Sequence, residues 1–588
     1  MAPSSIDALP SARRAALPPA IGNHGRNHEK LLTVLIAGVL AAASLQPLPA
    51  AAAPASQWRS LWVDAFSPGL SSPQQITQVV ADAKAANVNT LLVQTARRFD
   101  CFCNNSTYPR SSTIATPAPF DPLAEMIRQG HAAGLKVHAW FNVGTLWNSA
   151  TAPPSPAHVY NTHGPTATGS NRWLDKRYDG VEIVGNNSYI DLGNPAAVDY
   201  IVAGANSIVR NYDVDGINLD YIRYPDRSGT IAGNDWGYSL TSLQRFRAAT
   251  GRTGTPLPSD AQFSQWRRDQ VTNVVRRVSQ TVAAADPSAV LSVNGISYGT
   301  GPSATKTWQQ TDTYTGVLQD WYGWTRAKLI DAVVLMNYKR QHDTAQAAMF
   351  TSWNQFLVRV KSETGRQMIS GTALYLNTIP NSVRQAQLVT SAGLGWSGYS
   401  YANASQAAAA STSTTVKASE RRALTAALKA SVFPTPSSVP EMTWKPDVDV
   451  YSTPGYHQVN GREWRTTCEP YSQTVRCRTE IWATTVAYVS GRYIKTNDWT
   501  FNNLTYLPYM TRDQWGTNPL AVDSGGSVFI SSGRRWKTEC DTALTGTNAC
   551  RSFIYVYGVV QSVQNPDGTW RYYRANMWVF NNIVRFKA

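Results

Sequence analysis

YDVDGINLDYIRYP, residues 212–225, places three aspartates within eight residues of an otherwise apolar, strand-like run. Side chains alternate along a strand, so Gly216, Asn218 and Asp220 share one face of VDGINLDYI (214–222), and Asp215, Ile217 and Leu219 share the other. Asp213 and Asp215 stand where the run begins and read as turn and strand-start residues. Asp220 stands where it finishes. What that position is worth depends on the sheet to which the strand belongs.

Seven further runs have the same character: RSLWVDAF (59–66), TLLVQTA (90–96), KVHAWFNV (136–143), AVLSVNGI (289–296), DAVVLMNY (331–338), MISGTALYL (368–376) and GWSGYSYA (395–402). Helical periodicity fills the spaces between them, at 72–86, 121–134 and 263–285 among others. Eight near-continuous apolar strands alternating with helices predict an α/β chain folded as a (β/α)8 TIM barrel over residues 57–432. An open doubly wound sheet is the competing arrangement, but no GxGxxG follows the first strand and the strand count favours closure. In a closed barrel the active site lies at the C-terminal strand ends, which is where Asp220 falls.

The 588 residues include 20 Trp and 27 Tyr, with 43% hydrophobic and only 15% charged, which excludes disordered and coiled-coil classes. A formal charge of +15 points to an anionic partner or surface. With no Lys/Arg block, zinc-finger spacing or RNA-binding motif, anionic cell-wall polymers fit better than nucleic acid. Arg13, Arg14, Arg26 and Lys30 precede the apolar LLTVLIAGVLAAASL, and LPAAAAPA then offers small residues for cleavage near Ala53. Residues 1–53 read as a secretory signal peptide, since the apolar run falls short of the about 20 residues a membrane span needs. The expected product is secreted or associated with the cell envelope, with no transmembrane segment after signal removal.

All six cysteines follow that cleavage site, and an even count in an exported chain reads as disulfides. Cys468 with Cys477, and Cys540 with Cys550, would each close a hairpin-sized loop. Cys101 and Cys103 either form a strained pair or stay free. A lone CxC without clustered His or Cys gives zinc little support, so neither metal nor cofactor is expected.

Pro and Ser cluster in the segment expected to link the domains, residues 433–448. Beyond it the sequence repeats: GREWRTTC (461–468) matches GRRWKTEC (533–540), CRTEI (477–481) matches CRSFI (550–554), and NDWTFNNL (497–504) matches NMWVFNNI (576–583). Aromatic and polar residues alternate in both copies, predicting two small all-β modules at 449–515 and 516–588. Trp464, Trp499, Trp536 and Trp578 are candidates either for their cores or for polymer contacts. Duplicated basic modules would raise avidity for a repetitive polymer.

The segments RSLWVDAF, NTLLVQTARRFD, FDPLAEMIRQGHAAGLKVHAWFN, YIDLGNPAAVDYI, YDVDGINLDYIRYP and QDWYGWTRAKLIDAVVLMNY, in that order, resemble the glycoside hydrolase-like family 10 of bacterial envelope proteins over about residues 57–405. The resemblance implies a TIM-barrel glycosidase, some members of the family acting on peptidoglycan glycan strands that have lost their stem peptides. It does not cover the repeats. The expected activity is that of an exported glycoside hydrolase cleaving envelope glycan, with peptide-free peptidoglycan as the foremost substrate and the repeats attaching the enzyme to wall or polysaccharide. The alternative is a non-catalytic carbohydrate-binding envelope protein.

Glycoside hydrolysis requires two carboxyl groups across the scissile bond, about 5–5.5 Å apart for retention or about 6.5–9.5 Å for inversion. Asp220 is the first candidate. The catalytic region is poor in Glu away from helices and insertions, so Asp320, at the start of a helix in QDWYGW, is the expected partner, with an N-cap role competing. Asp64, late in the first strand, is a further candidate. The strand-four signature of family 18 chitinases, DGxDxDxE, aligns with Asp215, Gly216, Asn218, Asp220 and Ile222, so its acid glutamate is absent. A substrate-assisted variant would need its proton from elsewhere, such as Asp320. Polar and aromatic residues near strand ends complete a predicted sugar cleft: Asp64, Gln94, Arg97, His138, Trp140, Asn142, Tyr221, Asn294, Asn337 and Tyr338. Arg97 would pair with a substrate carboxylate.

Overall fold

A computed structural model of the chain describes residues 56–229, 231–442, 449–459 and 462–587. The expected signal peptide and residues 443–448 of the expected linker lie outside these. Eight parallel strands close into a barrel in the order β1-β8-β7-β6-β5-β4-β3-β2. They are β1 (Arg59–Val63), β2 (Thr90–Ala96), β3 (Lys136–Asn142), β4 (Gly216–Asp220), β5 (Val290–Ile296), β6 (Ala332–Met336), β7 (Gln367–Ala373) and β8 (Gly395–Tyr399). This is the TIM barrel the strand count predicts. Seven strands lie within the apolar runs and β7 starts one residue ahead of its own, and helices such as Pro73–Ala85, Pro122–Ala132 and Ala261–Ala285 fill the spaces between.

Alternation along β4 sorts its residues as its sequence requires. Asn218 reaches Ser292 Oγ on β5 at 2.9 Å inside the barrel, while Ile217 and Leu219 pack in the outer layer against the helices. Gly216 is sterically obligatory, because a Cβ there would lie 2.4 Å from the Val290 carbonyl oxygen and 2.6 Å from His138 Nδ1. Asp215 accepts hydrogen bonds from Val137 N (2.8 Å), Lys136 Nζ (2.7 Å) and His131 Nε2 (2.8 Å), tying the base of β4 to β3 and its preceding helix. Asp213 is exposed, 3.5 Å from His131. The barrel interior is filled by Trp58, Trp62, Leu92, Trp140, Ala332, Val334 and Ile369. Burying each large side chain of this set contributes about 1.5–3 kcal/mol. The first part of the expected linker is bound to the barrel base: Arg59 Nη1 donates to Thr435 O at 2.7 Å, and Asn89 Nδ2 donates to Ser437 O at 2.9 Å.

The two repeats are all-β, as their alternation predicts. They join edge to edge into one eight-stranded sheet. The first half is β9 (Gly455–Val459), β10 (Arg462–Tyr471), β11 (Thr474–Val489) and β12 (Arg492–Tyr506). The second is β13 (Phe529–Ser531), β14 (Arg534–Cys540), β15 (Ala549–Gln564) and β16 (Trp570–Arg585). Antiparallel hairpins build each half, and a short parallel ladder between β12 and β16 joins them, with Leu504 opposite Asn582, Thr505 opposite Ile583 and Tyr506 opposite Val584. Both halves carry a register shift at matching places, at Thr479/Glu480 and at Ser552/Phe553.

Disulfides join Cys468 to Cys477 and Cys540 to Cys550 across neighbouring strands, and Cys101 to Cys103 in the loop after β2. Each half of the sheet has a covered face and an open one. Thr466 and Thr479 lie under the chain at Val450, whereas Thr538 and Ser552 lie under the chain at Pro519. In the joining ladder Leu504, on the open side of the first half, sits beside the buried Asn582 of the second. The open face of one half therefore continues as the covered face of the other. Trp499 and Trp578 belong to the open faces, where Trp499 contacts Trp482 at 5.5 Å and Trp578 contacts Tyr555 at 5.2 Å.

Candidate active site

The C-terminal ends of β1, β4 and β8 bring two carboxyl groups to one aromatic wall. Asp220, the last residue of β4, is buried. Its Oδ2 accepts from Trp140 Nε1 at 3.0 Å and its Oδ1 from the Tyr221 backbone N–H at 2.8 Å, with the Asn294 amide and the Arg223 guanidinium beside it. Asp64 directly follows β1. It accepts from the Phe66 backbone N–H at 3.1 Å and from the hydroxyls of Ser67 and Ser400. Burial pushes both carboxyls above the usual aspartate range, against the pull of these donors. Tyr399, which ends β8, lies near both: burial raises its phenol most, and the charges of Asp64 and then Asp220 raise it further.

Aromatic rings continue the wall from Tyr399. Trp62 meets Trp140 edge-on at 4.9 Å and Tyr399 at 5.8 Å. Tyr338 stacks on Tyr399 at 5.3 Å, and Tyr375 meets Tyr399 at 5.9 Å. On the other side Tyr221, held at a positive φ of 49°, lies under the Arg223 guanidinium at 4.3 Å. Lys339 donates to Ser297 O at 2.9 Å, and burial lowers its pKa to about 8. The arrangement offers an acid, a base and flat ring surfaces in a site lined by buried groups, which is the equipment for cleaving a bond between sugar rings.

Of the residues expected from sequence, Asp64, Trp140, Asp220, Tyr221, Asn294 and Tyr338 meet at this site. Asn142 borders it: it pairs with Asp220 in the ladder and accepts from Thr145 N at 3.1 Å, shaping the turn after β3. Gln94 supports it from below, accepting from the Ala65 backbone N–H at 2.9 Å and so fixing the turn that carries Asp64.

Four expectations are corrected. Asp320 caps the helix Trp321–Arg326: its Oδ1 accepts from Gly323 N at 3.0 Å and from Trp308 Nε1 at 2.6 Å, among residues of the outer helical layer. Its neighbours, Trp308, Gly323, Arg268 and Arg326, are not those of Asp220. His138 sits low in the barrel, level with Gly216 at the start of β4 and 4.9 Å from Trp58, and burial lowers its pKa to about 4. Asn337 turns outward and donates to Phe350 O at 3.0 Å, clamping β6 to the helix Thr344–Thr364. Arg97 is occupied by Asp100 at 3.0 Å and Ala65 O at 3.2 Å, beneath the Phe66 ring at 4.6 Å, so it organises the loop after β2.

Sequence reading missed Trp62, Tyr375, Tyr399, Arg223 and Lys339. A usable signal existed for Trp62, two residues before Asp64 on the same strand face, and for Tyr399 within the eighth apolar run.

The family model described as Glycosyl hydrolase-like 10 matches residues 57–389. Among curated proteins, the glycosyl hydrolase YngK of Bacillus subtilis (strain 168) is 28% identical over 223 residues, 36% of this chain and 38% of YngK. The glycosyl hydrolase DigH of Escherichia coli (strain K12) is 26% identical over 194 residues, 31% of this chain and 36% of DigH. The chain thus spans well under half the length of either relative in these matches. Among solved structures, the PgaB (BpsB) glycoside hydrolase domain from Bordetella bronchiseptica aligns with a TM-score of 0.40 at 14% identity, over 62% of this chain and 98% of that one.

Proposed function

The chain belongs to the glycosyl hydrolase-like 10 family, and from that premise we propose that it is a glycoside hydrolase of the bacterial envelope, acting on peptidoglycan glycan strands that lack stem peptides. The observation that carries the activity is the convergence of Asp64 and Asp220, from two different strand ends, on Tyr399 and its neighbouring rings. Their surroundings divide the roles. Arg223 and the Trp140 indole N–H favour a charged Asp220, whereas the polar contacts of Asp64 are neutral donors. On that difference we assign Asp64 as the acid that protonates the leaving glycosidic oxygen. Asp220 remains the carboxylate that attacks the anomeric carbon or draws a proton from the attacking water.

Export rests on the basic, apolar and small-residue order of the first 53 residues. It is supported by three disulfides; no helix among the described residues is long and apolar enough to cross a membrane. The basic chain and the open aromatic faces of the C-terminal sheet support attachment to wall polysaccharide.

The test is release of new reducing ends from peptide-free peptidoglycan strands. Asp220→Asn and Asp64→Asn should each lose about 10²–10⁴-fold in rate. Equal release by wild type and both variants would remove these aspartates from the reaction. No release by wild type would favour a binding protein with a glycosidase-like barrel.

A further inference from the structure

A second cavity, of about 320 Å³, lies where the C-terminal sheet meets two barrel helices, Pro195–Asn211 and Ala261–Ala285. Its sheet side is contributed by Glu463 and Trp464 of β10 and Trp499 of β12, and its barrel side by Asp199, Asn206 and Arg277, among others. None of the carboxyls or rings of the barrel mouth lines it. The wall on the sheet side is held in place: Gln280 and His457 bond across the junction at 2.6 Å. Two half-buried indoles line the cavity, Trp464 from the covered face of the sheet and Trp499 from the other, with hydrogen-bonding groups of both signs.

The chemistry of the lining selects among ligands. Asp199 and Glu463 are matched by Arg210 and Arg277, and Arg277 already pairs with Asp199 at 2.8 Å. A cavity with balanced charge has no preference for a polyanion, although the chain as a whole is basic. Indole rings suit the C–H faces of a pyranose, and carboxylate, guanidinium and amide groups suit its equatorial hydroxyls. The volume lies at the lower end of the about 300–1,000 Å³ typical of small-ligand pockets. An apolar peptide or a lipid would leave these polar groups unmatched.

We propose that this cavity is a second saccharide site, separate from the catalytic cleft, which holds one or two uncharged pyranose units of a glycan chain. The ligand class rests on the glycan reading of the barrel given above. The indoles come from the first repeat alone, so the site occurs once per chain and the matching Trp578 of the second repeat has no part in it.

The test uses the full chain carrying Asp220→Asn to prevent turnover, titrated calorimetrically with chitotetraose. Two binding events are expected. Adding Trp499→Ala should abolish one of them, and adding Glu463→Gln, a change at an exposed position that leaves the fold undisturbed, should weaken the same event at least threefold. Trp578→Ala should leave both in place. A titration unchanged by both Trp499→Ala and Glu463→Gln would overturn the proposal, as would preferential binding of oligogalacturonate to the Trp499-dependent site. The reducing-end assay on wild type keeps the two readings apart. A Trp499-dependent event without any hydrolysis would sink the catalytic reading and leave this site standing, whereas hydrolysis without such an event would do the reverse.

Discussion

Asp220 and Asp320 look alike in sequence: each follows an apolar stretch and precedes aromatic residues. What separates them is which group each oxygen faces, and alternation supplies that for a strand but not for a helix start. Asp220 was legible because β4 has a fixed period of two within a closed barrel. Asp320 was not, because N-caps and catalytic carboxylates draw on the same residue type. As a cap bonded to Gly323 N and Trp308, Asp320 should cost about 0.5–2 kcal/mol of stability when changed to alanine, seen as a lower midpoint in urea unfolding, while reducing-end release stays near wild type. Asp64 should behave in the opposite way. Its folded pKa is raised by burial, so its contribution to stability is full below the unfolded value of about 3.9 and is lost as pH rises through the folded value. Above the unfolded value, burying this carboxyl is a cost, either as a charge or through the proton it must take up on folding. Asp64→Asn should therefore raise the melting temperature at neutral pH, with the gain shrinking toward zero as acid protonates the wild-type carboxyl. A gain that persists unchanged into acid would contradict this account. The missed aromatic residues belong to the same scale: sequence puts Tyr399 within an apolar run, but not the rings of Trp62, Tyr338 and Tyr375 around it.

At the scale of elements, periodicity carried most of the barrel. Eight runs became eight strands because buried parallel strands are apolar on both faces and little else in the chain is. His138 shows the limit of that signal. The run KVHAWFNV fixes which residues point inward but not their height in the barrel, and two residues of height separate the neighbour of Trp58 from the indole that bonds Asp220. Hairpins in the C-terminal sheet were equally legible, since each cysteine pair brackets a turn. Closing such a loop restricts the unfolded chain, and the entropic argument gives about 2–4 kcal/mol for a typical disulfide. Replacing Cys540 and Cys550 together by alanine should lower the unfolding midpoint of the sheet accordingly, and should leave glycan cleavage by the barrel intact, measured on the same preparation before heating.

At the scale of the molecule, the sequence repeat predicted two modules and the structure joins them into one sheet. Nothing in either copy marks the pairing of Leu504 with Asn582, because a three-residue parallel ladder leaves no periodic trace of its own. That ladder has a geometric result. Two equivalent strands running parallel side by side are related by a rotation about an axis lying in the plane of the sheet, and such a rotation turns one copy over relative to the other. The duplication thus adds a direction rather than a second grip in the same direction. The open ring pairs of the two copies, Trp482 with Trp499 and Tyr555 with Trp578, therefore point to opposite sides. The sheet is double-sided: the duplication gives each side one open aromatic patch rather than giving one side two.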